Sequence, residues 1–196
     1  GLPADTAALF SFTEGDAMVK EAWPSMAKSL TSMGQDPASL GDQFGLTLPD
    51  DIATLFGKQL DLVVPKQSFT KGVPSAAVRI STHAGKAEQV LAALERQGLN
   101  VPSQRCGERL CIGTTSSAVA ALSGSGLSAN PAFTTAVADA DKARAIMYVD
   151  FDALESQYLD QVPADQRDFV AAMKTMGMSV VEDGNDSRTT VRLVAN

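Results

Sequence analysis

Cys106 and Cys111 are the two cysteines of the chain, and their spacing allows one specific piece of chemistry. They flank the segment 107–110, which is typical of the tip of a β-hairpin. Two cysteines that face each other across a tight turn can reach disulfide geometry without movement of the backbone, whereas two thiolates alone supply half of a zinc site. The sequence therefore predicts a Cys106–Cys111 disulfide and an oxidising, extracytoplasmic location: periplasmic, cell-surface or secreted.

His83 is the only histidine, so a catalytic triad or a histidine-based metal site would have to use it. It lies between the end of a predicted strand and a helix led by Gly85, where a polar residue at a helix start is the ordinary interpretation. The chain also lacks a G-x-S-x-G elbow and a glycine-rich phosphate loop that ends in Lys-Ser/Thr. The sequence therefore predicts no cofactor, no metal site and no enzymatic activity.

The segment from Ser25 to Lys28 matches the S-x-x-K pattern of serine β-lactamases and penicillin-binding proteins, and Ser-Ala-Asn at 128–130 follows in the expected order. The third element of that pattern would be 174–177, where an extra methionine displaces the glycine and a helix end is predicted instead of an active-site strand. A four-residue pattern with two fixed positions often arises by chance. We interpret Ser25 and Lys28 as such a chance match.

Five of the seven methionines are candidates for the lining of an apolar cavity. Met18, Met26 and Met33 recur about every four residues in a predicted helix, where they are expected to face the core. Met173 and Met176 end a second predicted helix. Thioethers fill irregular gaps in a core, and flexible methionine-lined interiors also suit an acyl chain or another apolar ligand. Core packing is one interpretation, and a lipid-like ligand held between these helices and the sheet is the alternative.

Composition limits the possible partners. The chain has 196 residues, of which 44% are hydrophobic, enough to bury a core without metals. Its net charge of −7 repels phosphate backbones, and no stretch collects enough Lys or Arg for a basic patch. No apolar run is long enough for a membrane span. We therefore exclude nucleic acid as a partner and expect membrane association only through a segment upstream of Gly1.

Periodicity along the chain predicts both strands and helices. Strand patterns occur at 6–12, 59–64, 76–81, 99–105, 109–113, 145–151, 178–182 and 189–194. Helical patterns occur at 16–33, 50–56, 86–97, 116–122, 130–140 and, with an interruption before Pro163, 152–176. Pro24 lies inside the first of these helices and is expected to kink or split it. Turn residues at 183–186 predict a C-terminal hairpin. The fold class is therefore α+β, a mainly antiparallel sheet with helices packed on one face.

Two units of a strand followed by an interrupted helix begin with residues 8–12 and 146–150, although the identity between them is slight. This pattern leaves open whether the domain is built from two related strand-helix halves. We treat 1–196 as a single α+β domain. The alternative is a two-lobed organisation, in which 1–57 plus 143–196 surround a central 58–142 module.

Four short phrases occur in a recognisable order along the chain. They are Leu-Pro-Ala-Asp-Thr at 2–6, residues 110–114 followed by the short helix 116–122, Ala-Asn-Pro-Ala-Phe at 129–133, and the strand 145–150 with Leu154 after it. Together they resemble the bacterial DUF3352 family of uncharacterised envelope-associated proteins. The resemblance implies part of the extracytoplasmic body of a larger protein, often with an N-terminal membrane segment. It transfers no activity and no catalytic residue, and the cysteine pair is not part of the family pattern.

These observations lead to two expectations of function. The first is a non-enzymatic, extracytoplasmic domain of a bacterial envelope protein that acts by protein-protein contacts through its sheet faces and acidic surface. Its partner would be an envelope or secreted protein. The alternative is a carrier or sensor of a lipid-like apolar ligand, bound by the five methionines.

Overall fold

A computed structural model describes residues 1–67, 74–159, 162–184 and 186–196. Within them the strands are β1 (Thr6–Thr13), β2 (Gln59–Pro65), β3 (Ala77–Ser81), β4 (Ser103–Cys106), β5 (Arg109–Gly113), β6 (Ala145–Asp150), β7 (Met173–Asp183) and β8 (Asp186–Ala195). They form one sheet in the order β4-β5-β3-β2-β1-β6-β7-β8, and every neighbouring pair is antiparallel. The antiparallel sheet is confirmed.

Eight α-helices lie between the strands in the described residues. They are α1 (Gly15–Ser32), α2 (Pro37–Phe44), α3 (Asp50–Phe56), α4 (Ala84–Arg96), α5 (Ser116–Ala121), α6 (Pro131–Ala136), α7 (Phe151–Tyr158) and α8 (Arg167–Ala171), with a 3₁₀ turn at Leu127–Ala129. Their starts follow local capping signals, since the side chains of Asp36, Thr115 and Asn130 accept hydrogen bonds from the first turns of α2, α5 and α6. The α+β class is confirmed.

Three elements differ from the sequence prediction by more than a shift of their ends. Helix α8 ends at Ala171 and strand β7 begins at Met173, where a helix through Met176 is predicted. Strand β7 pairs with both β6 and β8, so cross-strand packing overrides the local helical pattern. Pro24 lies inside α1 without splitting it. Helix α2 is an additional element, and the C-terminal hairpin is present, with Asn185 of its turn outside the described residues.

One face of the sheet, which we call the core face, carries the main hydrophobic core. The segment from α5 through α6 covers this face. The buried cluster consists of Leu9, Val63, Ala77, Cys111, Ala118, Val119, Leu122, Leu127, Phe133, Ala136, Val137, Ile146 and Tyr148. The rings of Phe133 and Tyr148 meet edge to face with centroids 5.2 Å apart. Burial, helped by the charge of Asp150, strongly raises the pKa of the Tyr148 phenol.

The opposite face, which we call the open face, carries the alternate residues of each strand. At one end of it, Phe12 contacts Phe56 of α3, and Leu110 packs against Ala87 and Leu91 of α4. Helices therefore pack on both faces, which corrects the expectation of helices on one face. The physical reason is that the strands are apolar at both odd and even positions, so each face has apolar surface to bury.

The strand order is the same on the two sides of the β1–β6 pair. On one side β1, β2 and β3 lie in sequence order, and on the other side β6, β7 and β8 do. In each set, helices connect the first two strands. Phe10 pairs with Met147 near the middle of the central ladder. The topology thus contains two strand-helix-strand-strand units joined by an antiparallel ladder, and the β4–β5 hairpin extends the sheet beside β3.

Candidate functional site

Cys106 and Cys111 form the predicted disulfide, with their Cα atoms 6.0 Å apart across the β4–β5 hairpin. Cys111 is fully buried in the main core, so the bridge ties this hairpin to the core face. Because disulfides persist in oxidising compartments, the bridge indicates a non-cytoplasmic environment. Among the described residues, no helix combines the length and apolar character needed to cross a bilayer.

We expect the double variant Cys106→Ala/Cys111→Ala to lose roughly 2 kcal/mol of unfolding free energy, because the bridge restricts the unfolded chain by closing a short loop. Urea denaturation without reductant measures the loss. Wild-type protein reduced before unfolding should match the double variant. Two reactive thiols, titrated under denaturing conditions in protein made in an oxidising compartment, would contradict the bridge.

The five methionines do not line a common apolar cavity. Met18, Met26 and Met33 lie on α1 and are 49%, 47% and 68% exposed, which corrects the expectation that they face the core. Met173 and Met176 are half-buried on strand β7, not on a helix. Helix α1 packs against α3 and α2, and its buried residues lie in its first two turns. Helical spacing puts side chains on one stripe, but it does not tell whether anything packs on that stripe.

His83 lies at the start of α4, as the sequence predicts, and lines a charged pocket of about 540 Å³. Two ion pairs lie in the pocket, Lys58–Asp16 and Lys20–Asp50, each at 3.0 Å. The hydrogen bond from Lys20 lowers the pKa of Asp50. Burial opposes the ionisation of Asp16, but hydrogen bonds from Lys58 and the backbone outweigh it and lower the pKa of this carboxyl. These charges largely neutralise one another.

The three elements of the S-x-x-K pattern are not brought together. Ser25 and Lys28 are exposed on α1, whose first residue, Gly15, packs against Phe12 on the open face. Ser128 lies in the 3₁₀ turn that covers the core face. In the part of the chain that the structure describes, no group of three or more His, Cys, Asp or Glu side chains is placed to hold a metal ion.

A continuous row of apolar side chains crosses the open face, and we call it the apolar row. In spatial order its members are Ile112, Val78, Leu62, Phe10, Met147, Met178 and Val191, each paired directly with the next. Leu62, Phe10 and Val191 are 37%, 44% and 61% exposed, and the others are half-buried. At about 4.8 Å between strands, the row is roughly 29 Å long.

Sequence reasoning missed the apolar row because no single segment carries it. Strand β1 has apolar residues at consecutive positions, which indicates two apolar faces, but this pattern does not say which face stays uncovered. Neighbouring members of the row come from different strands, so their contact depends on the pairing register of six strand pairs. The signal available in the sequence is that each strand of the row carries an apolar residue on the face opposite the core face.

The core face carries a cavity of about 540 Å³ beneath the segment 127–141. Its floor is polar: Ser11, Asp61 and Arg79 are paired across β1, β2 and β3 and are each more than nine-tenths buried. Asp61 accepts hydrogen bonds from Ser11 at 2.7 Å, from Gln59 at 3.0 Å and from Arg79 at 3.1 and 2.9 Å. The sequence analysis missed this site. The available signal is Asp61, a charged residue in an otherwise apolar strand, because a buried charge requires a partner.

Comparison with family models, with curated proteins and with solved structures finds no match to the chain. The fold and surfaces define an antiparallel α+β domain with a disulfide-closed hairpin, an open apolar sheet face and a polar-floored cavity on the core face. Function is inferred from these features of the molecule.

Proposed function

We propose that the chain is a non-enzymatic, extracytoplasmic protein-binding domain of a bacterial envelope protein, and that the apolar row binds its partner, an envelope or secreted protein. The observation that carries this proposal is the row itself, seven directly paired apolar side chains left partly exposed on one sheet face. Contiguous exposed apolar surface marks interaction sites. The disulfide supports the extracytoplasmic placement.

The shape and charge of the surface favour a protein over a lipid. Small-molecule sites are concave and enclose most of the ligand, whereas the apolar row runs roughly 29 Å across a sheet. The net charge of −7 disfavours adsorption to anionic membrane surfaces. A protein with an apolar centre and a basic rim would complement both the row and the net negative charge of the chain.

Photo-crosslinking in the native envelope tests this proposal. A photoreactive residue in place of Leu62 should crosslink one polypeptide, which is then identified and purified. Phe10→Gln should weaken the affinity of that polypeptide by about tenfold or more, because Phe10 lies at the centre of the row. Phe169→Gln is the matched control, since Phe169 is 72% exposed on α8 and lies outside the row.

Three results would overturn the proposal. One is the absence of a crosslinked polypeptide. Another is an equal loss of affinity in Phe10→Gln and Phe169→Gln, which would make the contact non-specific. The third is a lipid-like mass adduct in native mass spectrometry that disappears in Phe10→Gln, which would favour the carrier of an apolar ligand instead. Circular dichroism of both variants confirms that they remain folded.

A further inference from the structure

The cavity on the core face combines apolar walls with a polar floor. The wall residues Leu9, Leu127, Phe133, Val137 and Ile146 come from the sheet and from the segment that covers it. A volume of about 540 Å³ is within the range of small-molecule sites. Sites of this class are mostly apolar and hold a few fixed polar groups that orient the ligand.

The floor is held rigidly by its own hydrogen bonds. Ser11, Asp61, Arg79 and Cys111 form one cross-strand row, which the disulfide fixes at its far end. The described contacts of Arg79 use one N–H on each guanidinium nitrogen, to Asp61 and to the carbonyl of Gly1. One further N–H on each terminal nitrogen therefore remains for a ligand, and the Ser11 hydroxyl, which donates to Asp61, can still accept.

The charge of the floor limits the head group that it accepts. Asp61 and Arg79 form an ion pair at 2.9 Å, with their side chains 3% and 9% exposed, so the buried charges cancel. A ligand ion of either sign would add an unpaired charge to this desolvated site. Two further carboxylates line the cavity. Asp139 is paired with Arg188 at 2.8 Å and Asp141 is exposed, so water screens both and neither is a buried counter-ion for a cation.

We infer that this cavity is a second binding site, which takes a small molecule with an apolar body and a neutral head that both donates and accepts hydrogen bonds, such as a carboxamide. The body packs against the apolar walls, and the head meets the free N–H groups of Arg79 and the Ser11 hydroxyl. The site lies on the opposite sheet face from the apolar row and does not depend on it.

Titration with hexanamide, hexanoate and hexylammonium, followed by ¹H–¹⁵N NMR, tests the head-group selectivity. Hexanamide should bind in the millimolar range, as expected for so few atoms, and shift the amide signals of Ser11, Asp61 and Ile146. Its dissociation constant should be about fivefold or more below those of the two charged analogues, because each ion loses hydration at the floor without gaining a buried counter-ion.

Two adjacent threonines on α6 provide a matched pair of variants. Thr134 lines the cavity and Thr135 does not, and both are exposed. Thr134→Trp should weaken hexanamide binding about tenfold by filling the mouth, whereas Thr135→Trp should leave it unchanged. Phe10→Gln should also leave it unchanged, so a failure here is distinguishable from a failure of the protein-binding proposal.

Several outcomes would overturn the assignment. They are no binding of any probe, equal affinity for hexanamide and its charged analogues, equal effects of the two tryptophan variants, and shifts confined to the apolar row. Because Thr134 and Thr135 are surface positions, both variants are expected to fold, and their NMR spectra without probe verify this.

Discussion

Replacement of Asp61 by leucine is expected to lower the free energy of unfolding by about 3–5 kcal/mol. Asp61 is 2% exposed and is the anion that neutralises the buried guanidinium of Arg79. Without it, Arg79 would be a desolvated cation with no counter-ion, and the hydrogen bonds of Ser11 and Gln59 to the carboxylate would be lost as well. Urea denaturation of the wild type and the variant measures the difference.

Two controls separate the charge effect from a general loss of packing. Glu88→Leu breaks the ion pair between Glu88 and Arg105, whose side chains are both exposed. It should change the free energy of unfolding far less than Asp61→Leu does, because water screens exposed charges. The double variant Asp61→Leu/Arg79→Met removes both buried charges and should recover most of the lost stability. If Asp61→Leu were no worse than Glu88→Leu, or if the double variant recovered nothing, the charge explanation would be wrong.

The Asp61–Arg79 pair also shows which parts of the fold the sequence can predict. Strands β2 and β3 are recognisable because each is a short apolar run bounded by turn residues, and the disulfide hairpin is recognisable from two cysteines around a tight turn. These are local signals. The contact between Asp61 and Arg79 depends on the register of two strands, because a shift of one residue would place Arg79 on the open face.

The methionines show why a periodic pattern alone does not predict burial. The repeat of Met18, Met26 and Met33 correctly indicates one stripe of a helix, but α1 packs through its first turns and leaves the stripe exposed. Met173 and Met176 lie on a strand because β7 is paired on both sides. Whether an apolar side chain is buried is decided by neighbours distant in sequence.

Replacement of Gly177 by alanine is expected to lower the free energy of unfolding by roughly 2–3 kcal/mol. Gly177 lies in the middle of β7, where the end of α6 packs directly on the sheet. A Cβ atom there would overlap the carbonyl group of Ala136 and come within 2.9 Å of the backbone nitrogen of Val137. Since these contacts are with backbone, no side-chain rotation relieves them, and α6 must move away from the sheet.

Gly85 provides the matched control for this prediction, because a Cβ atom there meets only the far end of Arg105 at 3.9 Å. Gly85 is the second residue of α4, where helix propensity counts less than in the interior, so Gly85→Ala should stabilise the protein slightly, by up to roughly 0.5 kcal/mol. Urea denaturation should therefore show opposite signs for the two substitutions. The displacement of α6 also moves Val137, a wall of the cavity, so Gly177→Ala should weaken hexanamide binding while Gly85→Ala leaves it unchanged. Stabilisation by Gly177→Ala would mean that α6 does not pack on β7 as described.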